Sequence, residues 1–245
     1  MGRKRARSET AKQKKRIRVR TQSHRTGIVQ DHSVKALTAI AREAAQKQAA
    51  RLKADMVAGS IFWKWLETKT VTPVFESWDK TVFRIVYAGL DPLSVAGSLS
   101  AGGRFNVGGA QMQQHDLFPR LTMAACLYVA SSIKCARKEA GEPLGNAEEY
   151  ELAPKTSLHL WQLEKVAVQL DYPGLLDLIL ATPMMALWSM QKAPLISQLL
   201  GNFLRMNGGD GIVFTSTKDS SEKVVAVFAK DDGHAKSLFT SKRIN

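Results

Sequence analysis

Apolar positions change their spacing along this chain, and each change marks a different element. From Ser33 to Leu66 they recur at intervals of three and four (Ala36, Leu37, Ile40, Ala41, Ala44, Ala45, Ala49, Leu52, Met56) without a proline. That spacing predicts a long amphipathic helix, with Asp31 or Ser33 as its N-cap. Gly59 is expected to break it, leaving Ile61–Leu66 to pack on the main body. From Val71 onward the pattern is mixed. Thr81–Val86 reads as a strand, and Leu90–Gly109 as a loop with five glycines. Leu121–Lys138 reads as a helix. Ser157–Leu163 and Val166–Leu170 alternate like two strands joined by a tight Glu164-Lys165 turn. Leu175–Leu180 is a short helix and Ala193–Met206 a longer one, closed by Asn207-Gly208-Gly209 as a C-cap. Ile212–Phe214 and Val224–Ala229 are buried-type strands separated by the polar turn Ser216–Lys223. No internal repeat is visible. Strands and helices in this order predict an α+β domain with a mixed sheet and flanking helices, not a doubly wound sheet.

Charge divides the chain differently. Residues 1–26 hold 11 of the 35 Lys and Arg against the single acid Glu9, so this stretch carries +10 of the total +13. A segment so charged and so poor in apolar residues cannot bury enough surface to fold alone. The expected organisation is a disordered basic arm over 1–30, a helical lead-in over 31–70 and an α+β domain over 71–245. Residues 3–25 suit nucleic acid or another polyanion. No aromatic residue interleaves with the charges, so base stacking is not indicated. A solvated arm with no single partner is the other reading.

Other classes receive no support. No apolar run approaches the roughly 18 residues of a membrane span, and the first residues lack the apolar core of a secretory signal. Cys126 and Cys135 are the only cysteines and stand nine residues apart, which fits a reducing, cytoplasmic setting. The five histidines are scattered, so no metal site is expected. Met184, Met185, Trp188 and Met190 form a soft apolar patch best read as core.

Candidate chemistry centres on two arginines in apolar, glycine-rich surroundings: Arg84 within Val82-Phe83-Arg84-Ile85, and Arg104 within Gly102-Gly103-Arg104-Phe105-Asn106. Arg84 is expected to project from a half-buried strand. Gly102 and Gly103 permit positive φ or close approach to a ligand. A fixed guanidinium beside the flat face of Phe105 suits a ligand with phosphates and an aromatic base. The plainer alternative is that such arginines cap backbone carbonyls.

These residues resemble the RES-domain family, whose fold is related to ADP-ribosyltransferases. The resemblance rests on Phe83-Arg84, on the unbroken Gly102–Asn106 signature, on Gly209-Asp210-Gly211 leading through a strand to Ser216, and on the apolar strand Val224–Phe228. It covers roughly residues 78–235. It implies a toxin-type enzyme with NAD as substrate: a glycohydrolase or phosphorylase, or an ADP-ribosyltransferase, many such proteins being held by a cognate antitoxin. Arg84 and Arg104, with Gly103, Phe105 and Asn106, would hold the dinucleotide, and Ser216 would orient the nicotinamide ribose. The family's glutamate lies in the helix after the glycine signature. The matching stretch is read here as Thr122–Tyr128, which holds no acid, and Asp116 and Glu139 are the nearest substitutes. Full activity, a weakly active NAD- or ADP-ribose-binding module, and a nucleic-acid-associated protein tethered by its arm therefore all stand as readings of the sequence.

Overall fold

The computed structural model describes residues 42–43, 46, 53, 55–109, 112, 117–141, 145–172, 174–180 and 194–244. The chain divides into two units, Met1–Arg51 and Leu52–Asn245. Of the first, Arg42, Glu43 and Gln46 are described, all in helical backbone. The basic arm, the helix cap at Asp31 or Ser33, His115, Asp116 and the methionine patch lie outside the described residues.

Helix α1 covers residues 55–67 and runs straight through Gly59. The glycine does not break the helix; it gives room. A Cβ there would lie 3.3 Å from the ring of Phe118. Met56, Phe62, Trp63 and Leu66 form the buried stripe of α1 and belong to the main core. Trp63 is anchored at its polar edge, with Nε1 donating to the Pro119 carbonyl at 2.8 Å.

The remaining elements of the second unit build one eight-stranded sheet. The strands are β1 (Phe75–Trp78), β2 (Val82–Tyr87), β3 (Ala125–Ala130), β4 (Ala147–Pro154), β5 (Leu158–Gln162), β6 (Gly211–Thr215), β7 (Lys223–Ala229) and β8 (Phe239–Arg243). Their order is β1-β5-β6-β7-β3-β2-β4-β8. Every neighbouring pair is antiparallel except β5 and β6. The helices are α2 (Ala96–Ala101), α3 (Ile133–Ala140), α4 (Leu163–Leu170), α5 (Leu175–Leu180), α6 (Ile196–Met206) and α7 (Asp232–Leu238). The fold is the expected α+β class.

Alternation along the central strands sorts the core into two layers. Cys126 and Ala130 of β3, Ile212 and Phe214 of β6, and Ala226 and Phe228 of β7 face one layer, together with residues of α1, α3, α4, α5 and α6. Ala125, Leu127 and Val129, with Val213, Val225 and Val227, face the other, beside Leu93, Val95, Ala235 and Phe239. Because both faces are covered, these strands read as unbroken apolar runs. Each Val, Leu, Ile or Phe side chain among them stabilises the fold by about 1.5–3 kcal/mol when fully buried.

This double burial explains the main departures from the sequence reading. Leu121–Lys138 is not one helix: it is β3 followed by α3, with Ser132 as N-cap accepting from the Cys135 amide. A short apolar run buried on both sides carries no period that separates strand from helix. Val166–Leu170 is not a strand, and Glu164-Lys165 is not a turn; both lie in α4, whose buried residues Leu163, Val166, Ala167 and Leu170 keep helical spacing. The expected loop over Leu90–Gly109 contains α2. Strands β1, β4 and β8 and helix α7 were not legible. β4 is a polar strand, Ala-Glu-Glu-Tyr-Glu-Leu-Ala-Pro, paired with β2 on one side and β8 on the other.

Candidate active site

The glycine signature folds into a tight turn between α2 and β3. The Gly103 amide donates to the Asn106 carbonyl at 3.0 Å, closing the turn around Arg104 and Phe105. Gly103 is required by crowding: a Cβ would sit 2.6 Å from the Asn106 Oδ1, the Tyr128 Cε2 and the Tyr128 hydroxyl. Asn106 is buried and makes four hydrogen bonds. Its Nδ2 donates to the Ser98 and Ala124 carbonyls, both at 2.8 Å. Its Oδ1 accepts from the Ser98 hydroxyl at 2.9 Å and the Tyr128 hydroxyl at 3.0 Å. An amide with two donors and one carbonyl oxygen has then met its capacity, so Asn106 shapes the turn and has nothing left for a ligand.

Phe105 does not offer the open face expected of it. It is buried, and its ring meets Phe214 edge-on with centroids 5.1 Å apart. Its amide donates to the Tyr128 hydroxyl at 2.8 Å. The turn rests on α6: Gln198 Nε2 donates to the Gly103 carbonyl at 2.9 Å. A Cβ on Gly201 would lie 2.0 Å from the Phe105 carbonyl oxygen.

Arg104 is buried, at 6% exposure. Its Nη1 donates to the Ile179 carbonyl at 2.6 Å and more weakly to that of Leu180 at 3.4 Å. These are carbonyls at the end of α5, which lack partners within the helix and lie at the negative end of its dipole. Burial pulls the Arg104 pKa below its ordinary value, opposed by the neighbouring Tyr128 and Glu139. The guanidinium therefore shares its surroundings with a carboxylate that the sequence offers only as a substitute acid.

That carboxylate is the main correction at the site. The helix after the signature begins at Ile133, not at Leu121, and it contains an acid. Glu139 stands in the last turn of α3, and the Ser216 hydroxyl donates to its Oε1 at 2.6 Å. A carboxylate is disfavoured near a helix C-terminus, so its place there calls for a partner of this kind. Ser216 follows β6 directly and is 3% exposed. Its oxygen also accepts from the Lys218 and Asp219 amides, each at 3.1 Å. The stretch Thr122–Tyr128 is mostly β3 and contributes Tyr128 instead. Burial raises the Tyr128 pKa well above the usual phenol range, so it is a neutral hydrogen-bonding group.

Arg84 is not brought to this site. It pairs across the sheet with Tyr150, which packs on the second core layer, whereas Tyr128 pairs with Ala226 of the first. Its Nη1 donates to the Pro92 carbonyl at 2.6 Å and to that of Ser94 at 3.1 Å. Burial lowers its pKa to about 10, opposed by Asp91 and Asp232, so it stays charged at neutral pH. Arg104, Tyr128, Glu139 and Ser216 lie on one face; Arg84 braces the other. Glu139 was named only as a substitute acid, outside the expected helix, because the strand was read as helix. The signal was present in Ser131-Ser132, a cap that restarts the helical count three residues before Cys135.

Among the described residues, no group of three or more His, Cys, Asp or Glu could hold a metal ion, and no helix is long and apolar enough to cross a membrane. No curated protein matches the chain. A solved structure similar to it is the M. tuberculosis MbcT-MbcA toxin-antitoxin complex, at 14% identity and a TM-score of 0.48, over 75% of this chain and 92% of that one. The family model described as the RES domain matches residues 81–242. With well over half of its length matched, from β2 to β8, the chain belongs to the RES domain family.

Proposed function

We propose that this protein is a toxin-type enzyme that cleaves the bond between nicotinamide and ribose in NAD. The observation that carries the reading is the 2.6 Å hydrogen bond between Ser216 and Glu139 on the sheet face that also holds Arg104. In this reaction the glycosidic C–N bond breaks and its electron pair leaves with nicotinamide. The ribose carbon becomes electron-poor, as an oxocarbenium ion does. A fixed carboxylate beside that carbon stabilises the developing positive charge. Glu139 supplies the carboxylate. Ser216 fixes which way it faces, since the hydroxyl donates to Glu139 while its oxygen accepts two backbone amides. Ser216 is a poor candidate for a nucleophile: among the described residues it has no histidine partner, and a carboxylate is ordinarily too weak a base to activate a hydroxyl.

Arg104 is the group for the pyrophosphate. Two of its hydrogen bonds, both through Nη1, go to the end of α5, and a guanidinium carries five N–H donors. A catalytically weak binding module is the reading a missing carboxylate would support, and the place of Glu139 beside Ser216 favours turnover over it. The acceptor of the ribosyl group is water, phosphate or a protein side chain, each consistent with the same first step. A cognate antitoxin is the partner that this reading implies. Nucleic acid remains the proposed partner of residues 3–25.

The test is nicotinamide release from NAD by the full chain, compared with Glu139→Gln and Arg104→Ala. Glu139→Gln is expected to lower kcat about a hundredfold or more with little change in melting temperature. Arg104→Ala is expected to raise KM as well. An unaltered rate in Glu139→Gln, or no release from the parent protein at any concentration, sinks the proposal.

A further inference from the structure

Between β6 and β7 the chain makes a short polar turn, and two of its residues each touch both Ser216 and the helix that carries Glu139. The amides of Lys218 and Asp219 donate to the Ser216 oxygen. With its acceptor positions engaged in this way, the hydroxyl has its proton to give, and it gives it to Glu139. The side chains of the same two residues hold the helix that carries Glu139. Lys218 Nζ donates to the Lys138 carbonyl at 2.9 Å and to the Glu139 carbonyl at 3.1 Å. These belong to the end of α3, where carbonyls lack partners within the helix and a cation offsets the dipole. Asp219 Oδ2 accepts from Lys138 Nζ at 2.6 Å and lies 3.2 Å from Lys134 Nζ. Lys134 and Lys138 are four apart and so share one face of α3. The Ser221 hydroxyl secures the other oxygen of Asp219 at 2.7 Å.

Stability gives only a modest account of this arrangement. The Asp219 side chain is 10% exposed, but Lys134 and Lys138 are 66% and 42% exposed, and ion pairs open to solvent on one side contribute little to folding. What the contacts fix is geometry: the approach of the last turn of α3 to the first residue after β6.

We propose that Lys218 and Asp219 are positioning residues, a clamp that holds Glu139 against Ser216. The inference rests on reading that pair as the reacting site, and it predicts an effect on turnover without an effect on stability.

Full-length Lys218→Met, Lys218→Arg and Asp219→Asn variants would test it with two readouts. The first is amide hydrogen exchange at positions 218 and 219, which needs no substrate. In Lys218→Met it is expected to quicken by about tenfold at both positions while β7 amides and melting temperature stay unchanged. The second is nicotinamide release. Here kcat is expected to fall by about tenfold with KM within about twofold, and Lys218→Arg to recover most of the loss. Unchanged exchange in Lys218→Met overturns the clamp whatever the activity. So does a Lys218→Arg variant no better than Lys218→Met in exchange. Quickened exchange in a protein whose parent form releases no nicotinamide sustains the clamp and sinks the NAD reading alone.

Discussion

Arg84 and Arg104 look alike in sequence and are used differently on the two faces of one sheet. Each is flanked by apolar or glycine residues, and each turns a guanidinium onto two backbone carbonyls. The difference lies in the other groups present. Around Arg84 the acids are already committed. Asp91 takes Lys236 at 2.7 Å and the Leu93 amide at 2.9 Å, and Asp232 takes the Val95 amide at 2.7 Å. The node is closed on itself and ties the loop before α2 to α7. Around Arg104 stand Tyr128, Glu139 and, through Glu139, Ser216. A buried arginine is therefore not diagnostic of a ligand site; the company it keeps is.

The largest way to break the Arg104 face is to disturb what presses its turn into place. Gly201→Ala would set a methyl 2.0 Å from the Phe105 carbonyl oxygen, backbone against backbone. Overpacking commonly costs about 1–3 kcal/mol, and here neither side can swing away, so a loss of about 3 kcal/mol or more is expected. Urea titration checks it. Gly97→Ala, where a Cβ meets nothing within 4 Å, serves as the control. Equal midpoints for the two variants would mean that α6 does not support the turn.

Arg84→Met addresses the contrast directly. It strands the Pro92 and Ser94 carbonyls and leaves Asp91 and Asp232 without their central cation, at a cost of about 1–3 kcal/mol. Nicotinamide release per folded molecule is expected to stay at the parent value, because Arg84 is on the other side of the sheet. A fall in kcat with stability intact would put Arg84 in the reacting site and erase the distinction between the faces.

The residues at the site were legible to different degrees, for reasons that are physical. The turn at Gly102–Asn106 was legible because paired glycines mark a backbone that must bend or be crowded. Ser216 was legible only through the family resemblance, since a serine after a buried strand is by itself most often a turn residue. The roles of Phe105 and Asn106 were not, since burial of the one and saturation of the other depend on contacts with Phe214, Ser98, Ala124 and Tyr128 that only the folded chain brings together. Glu139 was within sight but misplaced, because Ala125–Ala130 is buried on both faces and shows no period. The polar strand β4 was invisible because β8 covers an edge that the sequence offers no reason to cover.

The two cysteines sharpen the contrast at lower stakes. Cys126 is on the Arg104 face of β3, and burial pushes its thiol up to about 12. Burial also raises the Cys135 pKa, although Ser216 opposes it. At pH 8 neither is a thiolate to any useful extent, and both are buried. A chromogenic disulfide reagent is expected to find no fast-reacting thiol in the native protein and two after denaturation. A fast native thiol would mean that the Arg104 face opens to solvent on the timescale of the reaction.

The smallest effect expected is on the acid limb of stability, and it concerns Glu164. Its carboxylate accepts from the Thr215 amide at 2.9 Å and the Thr215 hydroxyl at 2.8 Å, one residue before Ser216. Burial pushes its pKa up. Hydrogen bonds from its own amide and from Thr215, with the charge of Lys223, outweigh burial and leave the pKa below the usual carboxylate value. A carboxyl depressed by folding adds stability above its unfolded pKa and loses it as pH falls through the folded value. Glu164→Gln is therefore expected to narrow its deficit against the parent protein as the pH drops below the carboxylate range. The group is partly open to solvent, so the effect is modest. A deficit that stays constant from neutral to acid pH would show that Glu164 holds the end of β6 by shape alone, and that its charge has no part in placing Ser216.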